Sequence, residues 1–400
     1  MTTFVSVFSG AGGLDIGLQR AGWECLYATD FDRHAVETLK LNAAEGRFNG
    51  GGHICQADIR DLTGEQILSD VGRRRGDVDL LAGGPPCQSW SSAGHQLGFN
   101  DPRGRLFEDY LRVAKQLDVR WLLFENVRGL ITAKGADGLP GSALAAIRQA
   151  LFKAGWQTRV ELLNAADYGA PQRRVRVVLI GYRQGDEPAV PPPSHSERGE
   201  NGLTPWVSMA VALNGLSPLE ADEIIRPSGK LALELATINP GSGVKSPGKR
   251  ETTRPGGHWG YKQGAFVADM NRSARTVTAN AQQDWIRDAL HGLRRLTPRE
   301  CAALQTFPAD WRFVGKRVDQ YRQIGNAVPP LLAEQVGNAL RAHAIGQSSK
   351  PSANVTAIAP LPAKLQAAID YTAREHSRNG ASRMAAPSLR RARDRLARVG

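Results

Sequence analysis

Cys87 stands in the hexapeptide Gly84-Pro85-Pro86-Cys87-Gln88-Ser89, directly after the apolar run Val78-Asp79-Leu80-Leu81-Ala82. Prolines lock φ and remove backbone donors, so the thiol is held on a stiff backbone at a strand exit, where no core pattern requires it. A free thiol with a pKa near 8.5 is only about 3% thiolate at neutral pH unless a positive neighbour lowers it. Two further groups can work with it. Glu125, in Glu125-Asn126-Val127, ends the run Trp121-Leu122-Leu123-Phe124, and Gln172-Arg173-Arg174-Val175-Arg176 enters the run Val177-Val178-Leu179-Ile180. Alternation along a strand puts Arg174 and Arg176 on one face. A strand-end Glu is commonly a solvated cap, paired Arg a charged edge, and a lone Cys a small buried hydrophobe. Together they are the parts needed to add a nucleophile to an electron-poor heterocycle.

Such parts need a scaffold that brings strand ends together. Thr3-Phe4-Val5-Ser6-Val7-Phe8 reads as a buried strand, breaks at Ser9-Gly10-Ala11-Gly12-Gly13, and resumes as a helical run from Leu14. Strand, glycine-rich turn and helix bring backbone N–H groups close to a ligand, and in an open parallel sheet the ligand sits at the strand C-termini. Gly10, Gly12, Gly13 and Gly17 depart from the spacing G-x-G-x-x-G. Asp30 follows a second apolar run, where a ribose-binding carboxylate sits in a βαβ unit. These residues point to a nucleotide-type cofactor, with NAD and S-adenosylmethionine both open.

The chain as a whole resembles the bacterial-type DNA (cytosine-5)-methyltransferases. Phe8-Ser9-Gly10-Ala11-Gly12-Gly13 matches that family's cofactor loop, Pro86-Cys87-Gln88 its nucleophile motif and Glu125-Asn126-Val127 its acid motif. Gln172-x-Arg174-x-Arg176, Arg295-Leu296-Thr297-Pro298-Arg299-Glu300 and Gln323-Ile324-Gly325-Asn326-Ala327-Val328-Pro329 match the remaining motifs in family order. The resemblance implies an α/β, Rossmann-like, S-adenosylmethionine-dependent methyltransferase domain with a small irregular target-recognition domain inserted. The implied division is 1–184 and 292–345 for the catalytic part, 185–291 for the insert, and 346–400 for a basic extension.

The same resemblance implies roles. Cys87 adds to C6 of a cytosine flipped out of duplex DNA, Glu125 holds and protonates N3, and Arg174 with Arg176 contacts the O2 edge. Phe8, Gly10, Gly12, Gly13 and Leu14 surround the methionine part of the cofactor. Asp30 takes the ribose hydroxyls, Phe31 stacks on adenine, and Asp58 with Ile59 meets the adenine edge. Pro86, Leu106, Asn326 and Val328 close the far side. The loop 88–105 resembles the family's mobile lid over DNA, with His95 where relatives often carry Lys or Arg. Expected DNA contacts are Gln88 and Ser91 in that loop and Lys245, Lys249, Arg250, Arg275 and Thr276 in the insert.

Composition agrees. The chain has 400 residues, 41% hydrophobic and 22% charged, with a formal net charge of +12. A basic chain favours a polyanionic partner, here double-stranded DNA. Residues 241–278 carry Lys245, Lys249, Arg250, Arg254, Lys262, Arg272 and Arg275 against Glu251 and Asp269, with His258, Trp259 and Tyr261 among them. That mixture suits phosphate contacts and base-edge donors, although a solvated loop has the same composition. Four cysteines without C-x-x-C pairing predict neither disulfide framework nor metal site. The N-terminal apolar run is too short for a signal peptide and no stretch is long enough to span a membrane, so a cytoplasmic monomer is expected. The resemblance leaves room for a cognate restriction endonuclease acting on the same site. The tail after 346 holds ten Lys or Arg against three acids. It reads equally as phosphate-binding or as a solvated end.

Three other readings fit less well. A tRNA cytosine-5 methyltransferase shares the chemistry, but Gln88-Ser89-Trp90-Ser91 and the full-length insert are as in DNA-acting relatives. A noncatalytic DNA-binding paralogue would show a broken motif. An NAD oxidoreductase would leave Cys87, Glu125 and the arginines without work.

Overall fold

Apolar runs flanked by Gly, Asp or Pro become strands buried on both faces, the pattern of a parallel sheet covered by helices. In the computed structural model, residues 1–48, 52–86, 106–183, 187–245, 247–248, 264–346 and 357–385 are described. Among them, β1 (Thr3–Val7), β2 (Glu24–Asp30), β3 (His53–Gln56), β4 (Leu80–Gly83), β5 (Trp121–Val127), β6 (Gln157–Asn164) and β7 (Val175–Tyr182) form one sheet in the order β3-β2-β1-β4-β5-β7-β6. This is the expected α/β, Rossmann-like arrangement.

Strands β1 to β5 are parallel, but β7 runs antiparallel between β5 and β6. The ten residues 165–174 that join β6 to β7 are too few for a crossover helix, so the chain must double back. The reversal places the first residues of β7 beside the last residues of β5, with Val127 opposite Arg176.

Helices cover both faces. α1 (Gly13–Arg20), α2 (Arg33–Ala44), α8 (Pro298–Leu304), α9 (Arg317–Asn326) and α10 (Pro330–Gly346) share one apolar core. α3 (Gly64–Asp70), α4 (Leu106–Leu117), α5 (Ser142–Lys153) and α11 (Ala363–Ala385) contribute to the other. The motif Thr297-Pro298-Arg299-Glu300 is a helix start. Thr297 caps α8, Pro298 occupies its first turn, and Glu300 returns to Thr297 N at 2.8 Å while pairing with buried Arg294 at 2.7 Å.

The C-terminal segment returns to close the N-terminal one. α10 lies across α1 so closely that a Cβ on Gly17 would collide with Ala333 Cβ and Pro330 O and stand 2.6 Å from Glu334 N. Trp23 Nε1 donates to Gly337 O at 3.0 Å on the same seam. Gly17→Ala is therefore expected to overpack the seam and cost about 1–3 kcal/mol. A denaturant melt showing no loss would disprove the close fit.

Residues 187–295 contribute the short pair β8 (His195–Ser196) and β9 (Thr204–Pro205) and the helices α6 (Met209–Leu213) and α7 (Gly229–Ala236). They also form a four-stranded sheet of β10 (Ser242–Gly243), β11 (Phe266–Val267), β12 (Trp285–Asp288) and β13 (Gly292–Arg295). Leu235, Ile238, Val267 and Trp285 make a small core of their own. Met209, Phe266, Ala274, Val277 and Ile286 instead join the main core. The expected division at 291/292 passes through the β12–β13 turn. In the tail, α11 is the described helix, and residues 386–400 lie outside the described residues.

Candidate active site

The ends of β1, β2, β4 and β5 and the beginning of β7 meet around a cavity of about 520 Å³, within the usual range for small-molecule sites. The loop after β1 enters it through Phe8, Ser9 and Gly10, followed by Leu14 from α1. Gly10 is at φ +55 with open space where a Cβ would lie. Gly12 and Gly13 do not line the cavity. A Cβ on Gly12 would stand 2.7 Å from Leu39, and one on Gly13 would collide with Val328 O. Both are packed closely, Gly12 against α2 and Gly13 against the loop after α9.

Asp30 organises the loop end. Its carboxylate accepts from Gly10 N and from Asp32 N, each at 2.8 Å. Burial pushes its pKa up, and the two backbone donors oppose that shift. Each carboxylate oxygen has further lone-pair capacity for a ligand hydroxyl. Phe31, next along, is 69% exposed and lines the cavity. A flat apolar ring left open at a cavity mouth is a surface on which another ring can stack.

Asp58 also lines the cavity, but its carboxylate is held by Arg60, whose Nε lies 2.9 Å away, and that bond lowers its pKa. Ile59, Pro86, Leu106, Asn326 and Val328 also line it. Among the lining residues that the sequence did not single out, Arg322 reaches across from α9 and pairs with Asp32 at 3.0 Å, and Arg60 stands beside Asp58. Asp15, fully buried in the first turn of α1, is pushed up to about 7 by burial, with the Asp30 charge adding to the shift.

The other half of the cavity holds the acid. Glu125 lies on β5 opposite Val178, two positions farther into the sheet than Arg176, the second residue of β7, and Arg176 Nε stands 2.8 Å from its Oε1. Burial pushes the Glu125 pKa up; Arg176, Arg174 and the Arg176 hydrogen bond pull it down. The direction of the balance is upward, so the protonated form is favoured more than in an exposed glutamate. The carboxylate rests against Gly84, where a Cβ would be 3.0 Å from Oε2.

Asn126, buried beside Glu125, donates its side-chain amide to Pro85 O at 3.2 Å, while Val127 N donates to its Oδ1 at 2.9 Å. It thereby ties the end of β5 to the proline pair that precedes Cys87. The acid motif supplied its name in the sequence, but nothing local showed this bond.

The two arginines have different duties. Arg174 is fully buried, and its terminal nitrogens donate to Val277 O at 2.9 Å and Gly325 O at 2.8 Å. It touches the cavity, yet its guanidinium is engaged by backbone, so what it offers the site is chiefly charge. Gln172 acts alongside: its amide donates to Leu304 O and accepts from Val277 N. Gln305 joins the same web by donating to Ala327 O at 3.2 Å. Both arginines line the cavity; Arg176 pairs with Glu125, whereas Arg174 is held by backbone carbonyls.

Among the expected DNA contacts, Thr276 hydroxyl donates to Arg173 O at 2.7 Å, and Arg275 sits over the Phe266 ring with Asp284 at 3.7 Å. Both are seated where the insert meets the catalytic part. Lys245 lies on the small sheet's margin, just after β10. Cys87, Gln88, Ser91, Lys249 and Arg250 lie outside the described residues, as does the loop 88–105.

Fold and site together define an α/β enzyme of the Rossmann-like class, with a carboxyl and a guanidinium held at the sheet's C-terminal edge beside a nucleotide-sized cavity. The model of the family described as C-5 cytosine-specific DNA methylase matches residues 2–342. The chain is 33% identical over 349 residues to the Type II methyltransferase M1.HphI of Haemophilus parahaemolyticus, covering 84% of this chain and 86% of the relative. It is 32% identical over 335 residues to M.NgoFVII of Neisseria gonorrhoeae, covering 82% and 83%. Among solved structures, the Entamoeba histolytica methyltransferase EhMeth shares the fold with a TM-score of 0.62 at 15% identity, over 86% of this chain and 99% of that one. The chain belongs to the C-5 cytosine-specific DNA methylase family. It is a DNA (cytosine-5-)-methyltransferase. Among the described residues no helix is long and apolar enough to cross a membrane.

Proposed function

We propose that this enzyme uses S-adenosylmethionine to methylate C5 of a cytosine flipped from a specific double-stranded DNA sequence, through a covalent bond from Cys87 to C6. The observation that carries the reading is Glu125, only 12% exposed and paired with Arg176 at 2.8 Å, in the cavity that also receives Pro86. The similarity to Type II enzymes supports a place in a restriction-modification system, with a cognate endonuclease of the same specificity. A soluble, cytoplasmic monomer fits such a role.

The residues present fit the cofactor. Phe8, Gly10 and Leu14 would face its methionine part, Asp30 its ribose hydroxyls and exposed Phe31 its adenine, with Asp58 and Ile59 at the ring edge and Asn326 and Val328 opposite. When bound, it supplies an electrophilic methyl group on a sulfonium. Cys87 thiolate then bonds to C6 while Glu125 donates a proton to N3, which lets the ring accept the electron pair and leaves C5 nucleophilic. Arg176 orients Glu125 and meets the base beside it. After C5 has taken the methyl, its proton passes to water and the N3 proton returns to Glu125, which re-forms the C5–C6 double bond and releases Cys87 as thiolate. Residues 185–291 would choose the sequence, with Lys245, Lys249 and Arg250 among the contacts.

Bisulfite sequencing of DNA from a methylation-free host expressing the chain should show one protected cytosine in one recurrent sequence; uniform conversion would defeat the proposal. Asp30→Ala should weaken S-adenosylmethionine binding by about 1–3 kcal/mol, since a half-buried carboxylate acceptor is lost and Gly10 N is released. Calorimetry showing unchanged affinity would remove Asp30 from the cofactor site.

A further inference from the structure

Two walls of the cavity come from opposite ends of the chain. Asp30, Phe31 and Asp32 stand where β2 gives way to α2, and Arg322, Asn326 and Val328 come from α9 and the loop after it. Arg322 spans the gap between them. Its Nε lies 3.2 Å and a terminal nitrogen 3.0 Å from Asp32 Oδ2, a pairing across 290 residues.

Both partners are held for this contact. Asp32 commits its other oxygen to the first turn of α2, accepting from His34 N at 2.9 Å and Ala35 N at 3.3 Å. Its backbone N–H donates to Asp30 Oδ1 at 2.8 Å, which ties the pair to the carboxylate at the end of β2. On the other wall, Asp319 steadies Arg322 from one turn away, 3.1 Å from the same terminal nitrogen. Asp319 is itself fixed by Lys316 N at 3.1 Å, with His34 Nδ1 at 3.8 Å.

The pair lines the cavity, and both side chains are partly exposed, so it stands at the rim beside the exposed Phe31 ring. An ion pair so open to water adds little to folding, because solvent screens it and two side chains must be ordered to make it. Its place gives it another use. A ligand lying between Asp30 and Phe31 on one wall and Asn326 and Val328 on the other has this pair across its exit on that side.

We propose that Asp32 and Arg322 form a clasp that slows release of the adenosyl cofactor by holding the β2 and α9 walls together at the cavity rim. The inference rests on the S-adenosylmethionine reading above.

The test is the dissociation rate of the demethylated product, S-adenosylhomocysteine, followed by stopped flow on the full chain. This probe has no net charge at neutral pH, so added salt acts chiefly on the protein. Arg322→Met should speed release about two- to fivefold, the worth of one exposed ion pair. Asp32→Asn should do the same, since its side-chain oxygen still caps α2. The double variant should be no faster than either single one, because both remove one shared contact. Arg322→Lys, which keeps the charge, should restore most of the residence time. Raising salt from about 50 to about 500 mM should bring the unaltered chain toward the variants' rate and move the variants little. Arg312→Met, which breaks a pair with Glu45 away from the cavity, should leave release unchanged. Unchanged release in both single variants, or a double variant whose effect is the product of the two, would overturn the clasp. A chain that binds neither S-adenosylmethionine nor its product would instead defeat the cofactor reading beneath it.

Discussion

Methyl transfer is expected to vanish when Cys87 is replaced by Ser, and to persist when Cys25, Cys55 or Cys301 is replaced by Ala. The other three thiols are poor candidates on physical grounds. Cys25 and Cys301 are buried, and burial pushes their pKa well above the ordinary thiol range. Cys55 shares a 2.9 Å hydrogen bond with Tyr27 hydroxyl on the far strands of the sheet. Cys87 directly follows a proline that lines the cavity, and Asn126 anchors the residue before that proline. A serine hydroxyl in its place is far less nucleophilic than a thiolate, so loss of the covalent route should cost several orders of magnitude. A duplex with 5-fluorocytosine at the target should trap an adduct that survives denaturation, because C5 then has no proton to lose. Digestion should yield the Cys87 peptide; an adduct mapped to any other cysteine would overturn the assignment.

Glu125→Gln should lower kcat by about 10²–10⁴, the usual worth of a positioned acid or base. Gln preserves shape and can still hydrogen-bond the ring but has no proton to donate. The pH dependence gives a sharper sign. Proton donation needs Glu125 in its acid form, so the rate should fall as pH rises through its raised pKa. Arg176 is the largest influence holding that pKa down. Arg176→Ala should therefore move the alkaline limb of kcat/KM to higher pH, while lowering its height through lost orientation of the acid. An alkaline limb that stays in place in Arg176→Ala, or survives in Glu125→Gln, would assign it to another group.

Much of this site was legible locally because it depends on strand ends. A buried parallel strand reads as an unbroken apolar run, and Gly, Pro and Asp mark where it stops. Phe8, Asp30, Pro86 and Glu125 thus stand at strand exits on the sequence pattern alone, and all four line one cavity. The start of α8 was equally open to reading, since a Thr-Pro-x-Glu cap is satisfied within four residues.

Other features depend on partners remote in the chain. Gly10 opens on the cavity whereas Gly12 and Gly13 are filled against Leu39 and Val328, a difference no turn pattern carries. Arg174 is spent on carbonyls 103 and 151 residues away, and Arg322 meets Asp32 across 290.

Read along the chain alone, a thiol, an acid, a guanidinium and a glycine turn stand at the ends of apolar strands. Which arginine reaches Glu125, and what Asn126 holds, depends on packing between remote segments. Periodicity reports which face of an element is apolar, never what packs against it. The pairing of Arg176 with Glu125 exists because β7 runs backwards between β5 and β6, and that direction is chosen by the length of a connection and the whole sheet's packing.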